Sequence, residues 1–253
     1  MTYVAGRMDG KVAFITGAAA GIGRATAIRL ASEGASVYIV DVAMEGLEET
    51  AKIVEEAGGQ VLASRCDVTD EADVKRNVAA CVERFERLDA LCNIAGILLL
   101  DHFANITADQ FRRVLEVNLV GTFVLIQAAL PHLMETKGAI INTSSTSALA
   151  GMPYGAAYGT SKGGVSALTR TIAVEFGKKG VRCNAVNPGS ILTAMAGPDV
   201  VPKDADMQLI MRAQPLDRPR GPEVVAATIA MLASDDGVHI NGEEIRVDGG
   251  TLA

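Results

Sequence analysis

Tyr158 and Lys162 stand four residues apart in the run Tyr158-Gly159-Thr160-Ser161-Lys162. On a helix that spacing projects both side chains from one face, a phenol beside an ammonium. A free tyrosine titrates near pH 10, and lowering it to about 7.5 takes roughly 3.4 kcal/mol. An ammonium about 4 Å away, at an effective dielectric near 20, supplies about 4 kcal/mol. One lysine is therefore enough to turn the phenol into a proton acceptor near neutrality. The flanking Ala156, Ala157, Gly159, Ser161, Gly163 and Gly164 are small, which leaves room for a ligand or for close helix packing. Such pairs are also ordinary on helix surfaces, so the spacing alone permits a plain surface pair. Tyr154 is the rival phenol of the segment, but the position four residues on is Tyr158, not a lysine.

A second chemical signal is Thr16-Gly17-Ala18-Ala19-Ala20-Gly21-Ile22-Gly23. Glycines let a backbone approach a pyrophosphate, and the free N–H groups of a helix start attract its charge. The segment follows an apolar run and opens an amphipathic one, the strand–turn–helix context such a cradle needs. Asp41 lies 24 residues after Gly17, at the end of the next apolar run. A carboxylate there accepts both ribose hydroxyls of an adenosine. It also repels a 2′-phosphate, by roughly 3 kcal/mol per unit charge at about 5 Å and dielectric 20. No Lys or Arg occupies the loop or positions 42–44, and Arg24 begins the helix behind the loop. NAD is expected over NADP.

These residues must be held by alternating strands and helices. Strands are expected at Val12–Thr16, Ser36–Asp41, Gln60–Arg65, Asp89–Asn93, Ala139–Thr143, Val181–Asn187 and Glu243–Val247. Helices are expected at Ile22–Ser32, Met44–Ala57, Asp70–Phe85, Ala108–Met134, Ala156–Phe176 and Glu223–Leu232, with Pro131 kinking the last turn of the fourth. Residues 190–221 hold four of the eight prolines and read as irregular. Repeated strand–helix–strand units imply parallel pairing with right-handed crossovers. The expectation is one α/β domain over 1–253, a doubly wound seven-stranded parallel sheet with helices on both faces.

Composition excludes several classes. The chain is 49% hydrophobic, with no Trp and 4% aromatics, so its core is aliphatic, as buried parallel strands require. A net charge of −7 argues against nucleic-acid binding. Cys66, Cys81, Cys92 and Cys183 show no metal or redox spacing, and the three histidines are scattered, so no metal is expected. The first nine residues lack an apolar signal core, and no run of about 18 uncharged apolar residues was found. A cytoplasmic protein with no membrane partner is expected.

In this order the motifs resemble the classical short-chain dehydrogenase/reductase family along nearly the whole chain. The resemblance rests on Thr16-Gly17-x-x-x-Gly21-Ile22-Gly23, Asp67-Val68, Asn93-x-Ala95-Gly96, Asn118 in Val117-Asn118-Leu119-Val120-Gly121, Ser145, Tyr158-x-x-x-Lys162 and Asn187-Pro188-Gly189. It implies a Rossmann fold and an NAD-dependent oxidoreductase. Tyr158 would be the general acid/base, and Lys162 would hold the nicotinamide ribose and lower the Tyr158 pKa. Ser145 would polarise the substrate oxygen, with Ser144 and Ser147 as neighbours able to serve by position. Asn118 would hold a relay water. Asp67 and Val68 would meet the adenine, while Asn93, Ala95 and Gly96 would line the adenosine side. Thr193 would meet the nicotinamide carboxamide, and Pro188, Gly189 and Ile191 before it would also bind the cofactor. Ile94 departs from the usual second Asn of the Asn-Asn-Ala-Gly motif.

The expected substrate is an apolar or cyclic secondary alcohol or its ketone. Its lining would come from Ile97–Leu100, Gly151–Tyr154, and Leu192, Met195, Val200, Val201, Met207, Ile210 and Met211 of a lid at about 190–221. Arg212, Arg218 and Arg220 leave a 3-oxoacyl-carrier-protein reductase as the alternative. A non-catalytic NAD sensor is the alternative of another class. The resemblance also implies a homotetramer built on the helices near 108–134 and 156–176.

Overall fold

The computed structural model describes residues 3–197, 200–212 and 214–253; the other positions of the 190–221 segment lie outside the described residues. Seven strands form one parallel sheet: β1 (Val12–Thr16), β2 (Ser36–Asp41), β3 (Gln60–Arg65), β4 (Ala90–Asn93), β5 (Ala139–Thr143), β6 (Arg182–Pro188) and β7 (Glu244–Val247). Their spatial order is β3-β2-β1-β4-β5-β6-β7. The chain therefore reverses direction across the sheet between β1 and β4. In open parallel sheets ligands bind at such a switch point, beyond the carboxyl ends of the strands.

Because β1 alternates its side chains, Ala13 and Ile15 enter a core with Leu30, Ile39 and Val225. Val12 and Phe14 enter a second core with Leu91, Leu125, Leu133 and Ile140. The first core lies under α1 (Gly21–Ser32), α2 (Met44–Glu56) and α8 (Glu223–Ala233). The second lies under α3 (Glu71–Phe85), α5 (Gly121–Thr136) and α6 (Ala156–Phe176). Asp70 caps α3 by accepting the N–H groups of Ala72 and Asp73, so that helix begins one residue later than expected.

The helix expected at 108–134 is interrupted. After α4 (Ala108–Leu115), capped by a reciprocal Thr107–Gln110 box, Glu116–Val120 winds as a π-helix before α5 resumes. Pro131 does not end α5, which runs on to Thr136. By length and apolarity the stretch Ala108–Thr136 could cross a membrane, contrary to the expectation that no such run exists. Here it packs as a core helix, with Leu125, Ile126, Ala129 and Leu133 buried against the sheet. The 190–221 segment is less irregular than expected, for it carries a 3-10 turn at Ala194–Ala196 and α7 (Met207–Met211).

Candidate active site

One cleft of about 1100 Å³ runs along the carboxyl ends of the strands. Its first wall is the turn between β1 and α1. Thr16 Oγ1 accepts the N–H groups of Ile94 and Ala95 at 2.9 and 3.0 Å, which ties this turn to the end of β4. Gly17 has φ +67°, and a Cβ there would lie 2.9 Å from the Ala95 backbone. A Cβ on Gly23 would fall 2.0 Å from the Gly17 carbonyl. The glycines thus let loop and helix close on each other. Ala20 at the N-cap of α1 supplies no side-chain acceptor, and the first turn holds no acidic residue. The positive end of α1 is left for an anion, which is the fit a pyrophosphate requires.

Asp41 stands beside this turn, its two carboxylate oxygens accepting the N–H groups of Ala19 (3.1 Å) and Ala43 (3.0 Å). Arg24 does not reach over the loop. Its guanidinium is held behind it by Thr50, the carbonyls of Ala19 and Gly46, and Glu49. Asp67 and Val68 line the next stretch of wall. The backbone N–H and hydroxyl of Thr69 both donate to Asp67, holding its carboxyl below the usual carboxylate range. A Cβ at Gly121 would sit 2.9 Å from the Val68 side chain, so Gly121 lets α5 approach this wall.

At the far end α6 presents Tyr158 and Lys162 to the cleft, and the loop after β5 presents Ser145. The Lys162 ammonium donates to the Thr143 carbonyl at 2.7 Å and lies 5.7 Å from the Tyr158 ring centroid. Burial lowers the Lys162 pKa to about 8. Burial raises the Tyr158 pKa, opposed by a hydrogen bond with Ser145. Desolvation of the phenol outweighs that hydrogen bond. Pro188, Gly189, Ile191 and Thr193 face the same end of the cleft. A Cβ at Gly189 would lie 2.9 Å from Asp248, so β6 meets the turn after β7 closely there.

Two expected site residues stand behind the wall and not on it. Asn93 is buried and donates to Asn142 Oδ1 at 2.8 Å, while Ile94, Ala95 and Gly96 form the surface. The alternation of β4 turns Asn93 inward, behind the Ile94 that lines the cleft. Asn118 is also buried. Its side chain accepts the Ile97 N–H (2.8 Å) and donates to the Ile97 carbonyl (2.9 Å) and Ser161 Oγ (3.0 Å). It clamps the loop after β4 to α6, and the π-turn is what places it between them.

The sequence model of the family described as "Enoyl-(Acyl carrier protein) reductase" matches residues 17–251. Levodione reductase of Leifsonia aquatica is 37% identical over 98% of this chain and 96% of its own length. A crystal structure of levodione reductase, 37% identical, superposes with a TM-score of 0.90, covering 96% of this chain and 98% of that one. Meso-2,3-butanediol dehydrogenase of Serratia marcescens is 39% identical over 98% of this chain and 96% of its own. A short chain dehydrogenase from Mycobacterium paratuberculosis, solved bound to NAD, has a TM-score of 0.91 at 33% identity, covering 97% and 99%. The chain belongs to the short-chain dehydrogenase/reductase family.

As a member of that family it is an oxidoreductase, and the reading as a non-catalytic sensor falls away. Other lining residues of this dehydrogenase/reductase escaped the sequence reading. Arg65 faces Asp41 in register across β2 and β3, and Arg65 and Arg113 line the cleft. Aligning the two six-residue strands by their ends would have found Arg65. Thr251 and Leu252 arrive from the chain end, for which no local pattern exists. Of the expected substrate lining, Ile97, Leu98, Leu100, Gly151, Met152, Pro153, Met195, Val200, Val201 and Ile210 face the cleft. Leu99, Tyr154, Leu192, Met207 and Met211 do not line it. Leu192, Met207 and Met211 are instead exposed to solvent; α7 turns Leu209 and Ile210 toward the cleft in place of Met207 and Met211.

Proposed function

We propose that the protein is an NAD-dependent dehydrogenase that interconverts an apolar secondary alcohol and its ketone, with Tyr158 as general acid/base. One observation carries the reading. Tyr158, Lys162 and Ser145 meet at one end of a continuous cleft whose other end offers the uncapped α1 terminus and Asp41. When bound, NAD would supply the hydride acceptor and a positive ring near the phenol. Gly17, Gly21, Ile22 and Gly23 would hold its pyrophosphate, Asp41 its adenosine ribose, Asp67, Val68, Ala95 and Gly96 its adenine side, and Lys162 the second ribose. Pro188, Gly189, Ile191 and Thr193 would hold the nicotinamide end.

In the reducing direction the raised pKa keeps Tyr158 a neutral phenol, the form that gives its proton to a carbonyl oxygen. Ser145 Oγ donates a hydrogen bond to the same oxygen. In the oxidising direction Tyr158 must lose its proton first. The Lys162 ammonium, predominantly charged below its pKa of about 8, favours the phenolate. Asn118 supports this end by fixing the loop after β4. Residues 190–221 act as the substrate lid of a single domain spanning 1–253.

Arg212 lies on the cleft wall, which favours a carrier-linked 3-oxoacyl substrate as the second reading; Arg218 and Arg220 line a separate small cavity. Four buried free thiols, their pKa values pushed up to about 12, suit a reducing cytoplasm. Exposed Val120, Phe123 and Val174 on the helices at 108–136 and 156–176 suit a homotetramer built there.

The test follows reduced-nicotinamide absorbance with secondary alcohols, ketones and 3-oxoacyl thioesters, each with NAD and NADP. Tyr158→Phe is expected to lose at least about a hundredfold in kcat while keeping NAD binding. Full turnover by that variant removes the mechanism. Turnover of thioesters alone selects the second reading.

A further inference from the structure

Among the described residues three non-glycine positions have positive φ: Glu86, Lys137 and Tyr154. Glu86 and Lys137 are helix C-caps, where a left-handed residue is ordinary. Tyr154, at φ +63°, sits in the loop just before the N-cap of α6, and an aromatic residue there is strained. Such strain persists only where the surroundings over-determine it, and it gathers at functional sites.

The surroundings of Tyr154 are specific. Its backbone carbonyl accepts the Asp101 N–H at 2.9 Å. Its ring meets His102 edge-on, with centroids 5.0 Å apart. Its hydroxyl accepts the Asp206 N–H at 2.7 Å. Asp206 is the N-cap of α7, and His102 Nε2 lies 3.0 Å from the Asp204 carboxylate just before it. One residue therefore joins three segments: the loop after β4, the loop after β5 and the lid. Each supplies cleft lining beside it, namely Leu100, Met152 with Pro153, and Leu209 with Ile210. Tyr154 does not itself line the cleft.

We propose that Tyr154 is a positioning residue that latches α7 over the substrate end of the cleft, the strained backbone aiming its hydroxyl at the helix start. The inference rests on the proposed dehydrogenase reading for its kinetic consequence, but not for the latch itself. The strain is the cost of aiming, and the fixed lid is what it secures: an apolar wall set before substrate arrives. The NAD end of the cleft lies outside this latch, so cofactor binding is independent of it.

Two variants separate latching from folding. Tyr154→Phe removes the hydroxyl and keeps the ring; Tyr154→Gly removes the ring and relieves the positive φ. With Tyr154→Phe, amide exchange over residues 203–212 should quicken, most at Asp206. The KM for the alcohol should rise about fivefold, equivalent to about 1 kcal/mol when a decade is 1.4 kcal/mol, with the KM for NAD and the melting temperature unchanged. Tyr154→Gly should show the same KM rise without a lower melting temperature. Unchanged exchange at Asp206 overturns the latch. A lower melting temperature with both KM values moving together assigns Tyr154 to the scaffold and overturns the positioning role. If the wild-type protein turns over no alcohol or thioester, the functional reading fails, and the exchange experiment still decides the latch.

Discussion

Replacing Lys162 by Met should make the cofactor-free protein more stable at neutral pH and inactive. Lys162 is 4% exposed, and burial lowers its pKa from 10.5 to about 8. At 1.36 kcal/mol per unit, the ammonium costs the folded state about 3 kcal/mol wherever both states hold the proton, that is below pH 8. Between pH 8 and 10.5 the unfolded chain binds the proton and the folded chain does not, so this group's contribution to stability rises with pH. Above 10.5 the penalty is gone. Methionine fills a similar volume without the charge, but forfeits the hydrogen bond to the Thr143 carbonyl, worth about 1 kcal/mol. The net gain at pH 7 is about 2 kcal/mol, or about 4–8 °C in melting temperature for a domain of this size. Thermal melts of both proteins at pH 7, 9 and 10.5 measure it. The difference between them should shrink as pH rises, which cancels every other titrating group. A constant difference, or a variant less stable than wild type at pH 7, refutes the reasoning. A stabilised but inactive variant shows a buried cation kept for chemistry at the expense of the fold.

Asp41→Ala should raise the NADP-to-NAD ratio of kcat/KM by at least about tenfold, since it removes the charge beside the proposed ribose site; Arg65→Ala in that background should reverse part of the gain. Gly17→Ala should weaken NAD binding by more than about tenfold in calorimetry, because its Cβ would press on the Ala95 backbone at 2.9 Å from a left-handed φ. Asn118→Ala should cost about 2–4 kcal/mol in denaturant unfolding, since it strands the Ile97 N–H and carbonyl near the cleft floor. A Ser substitution, which keeps one polar partner, should restore part of that loss.

The sheet was legible because each strand of a doubly wound fold is an apolar run closed by polar or glycine punctuation, and all seven strands lie within one residue of expectation at either end. The cradle and the Tyr158–Lys162 pair were legible for a related reason: their chemistry is local, fixed by spacings of four to seven residues. What stayed hidden depends on register and on departures from ideal helices. Apolar periodicity over 108–134 reads through the π-turn, because one extra residue per turn shifts the stripe without breaking it. Yet that turn brings Asn118 against Ile97 and Ser161. Asn93 was assigned to the wall by its motif, whereas the pleat of β4 directs it to Asn142. Arg65 was missed because a charge argument made along the chain ignores the neighbouring strand. The lid is the extreme case: Tyr154 read as a failed rival to Tyr158, and only its backbone angle and the three segments it joins give it a role. The meeting of Tyr158 and Lys162 was written in spacing, while the lining of the cleft depends on contacts between segments distant in the chain. Sequence reasoning therefore reached the class of reaction well before the walls that would select a substrate.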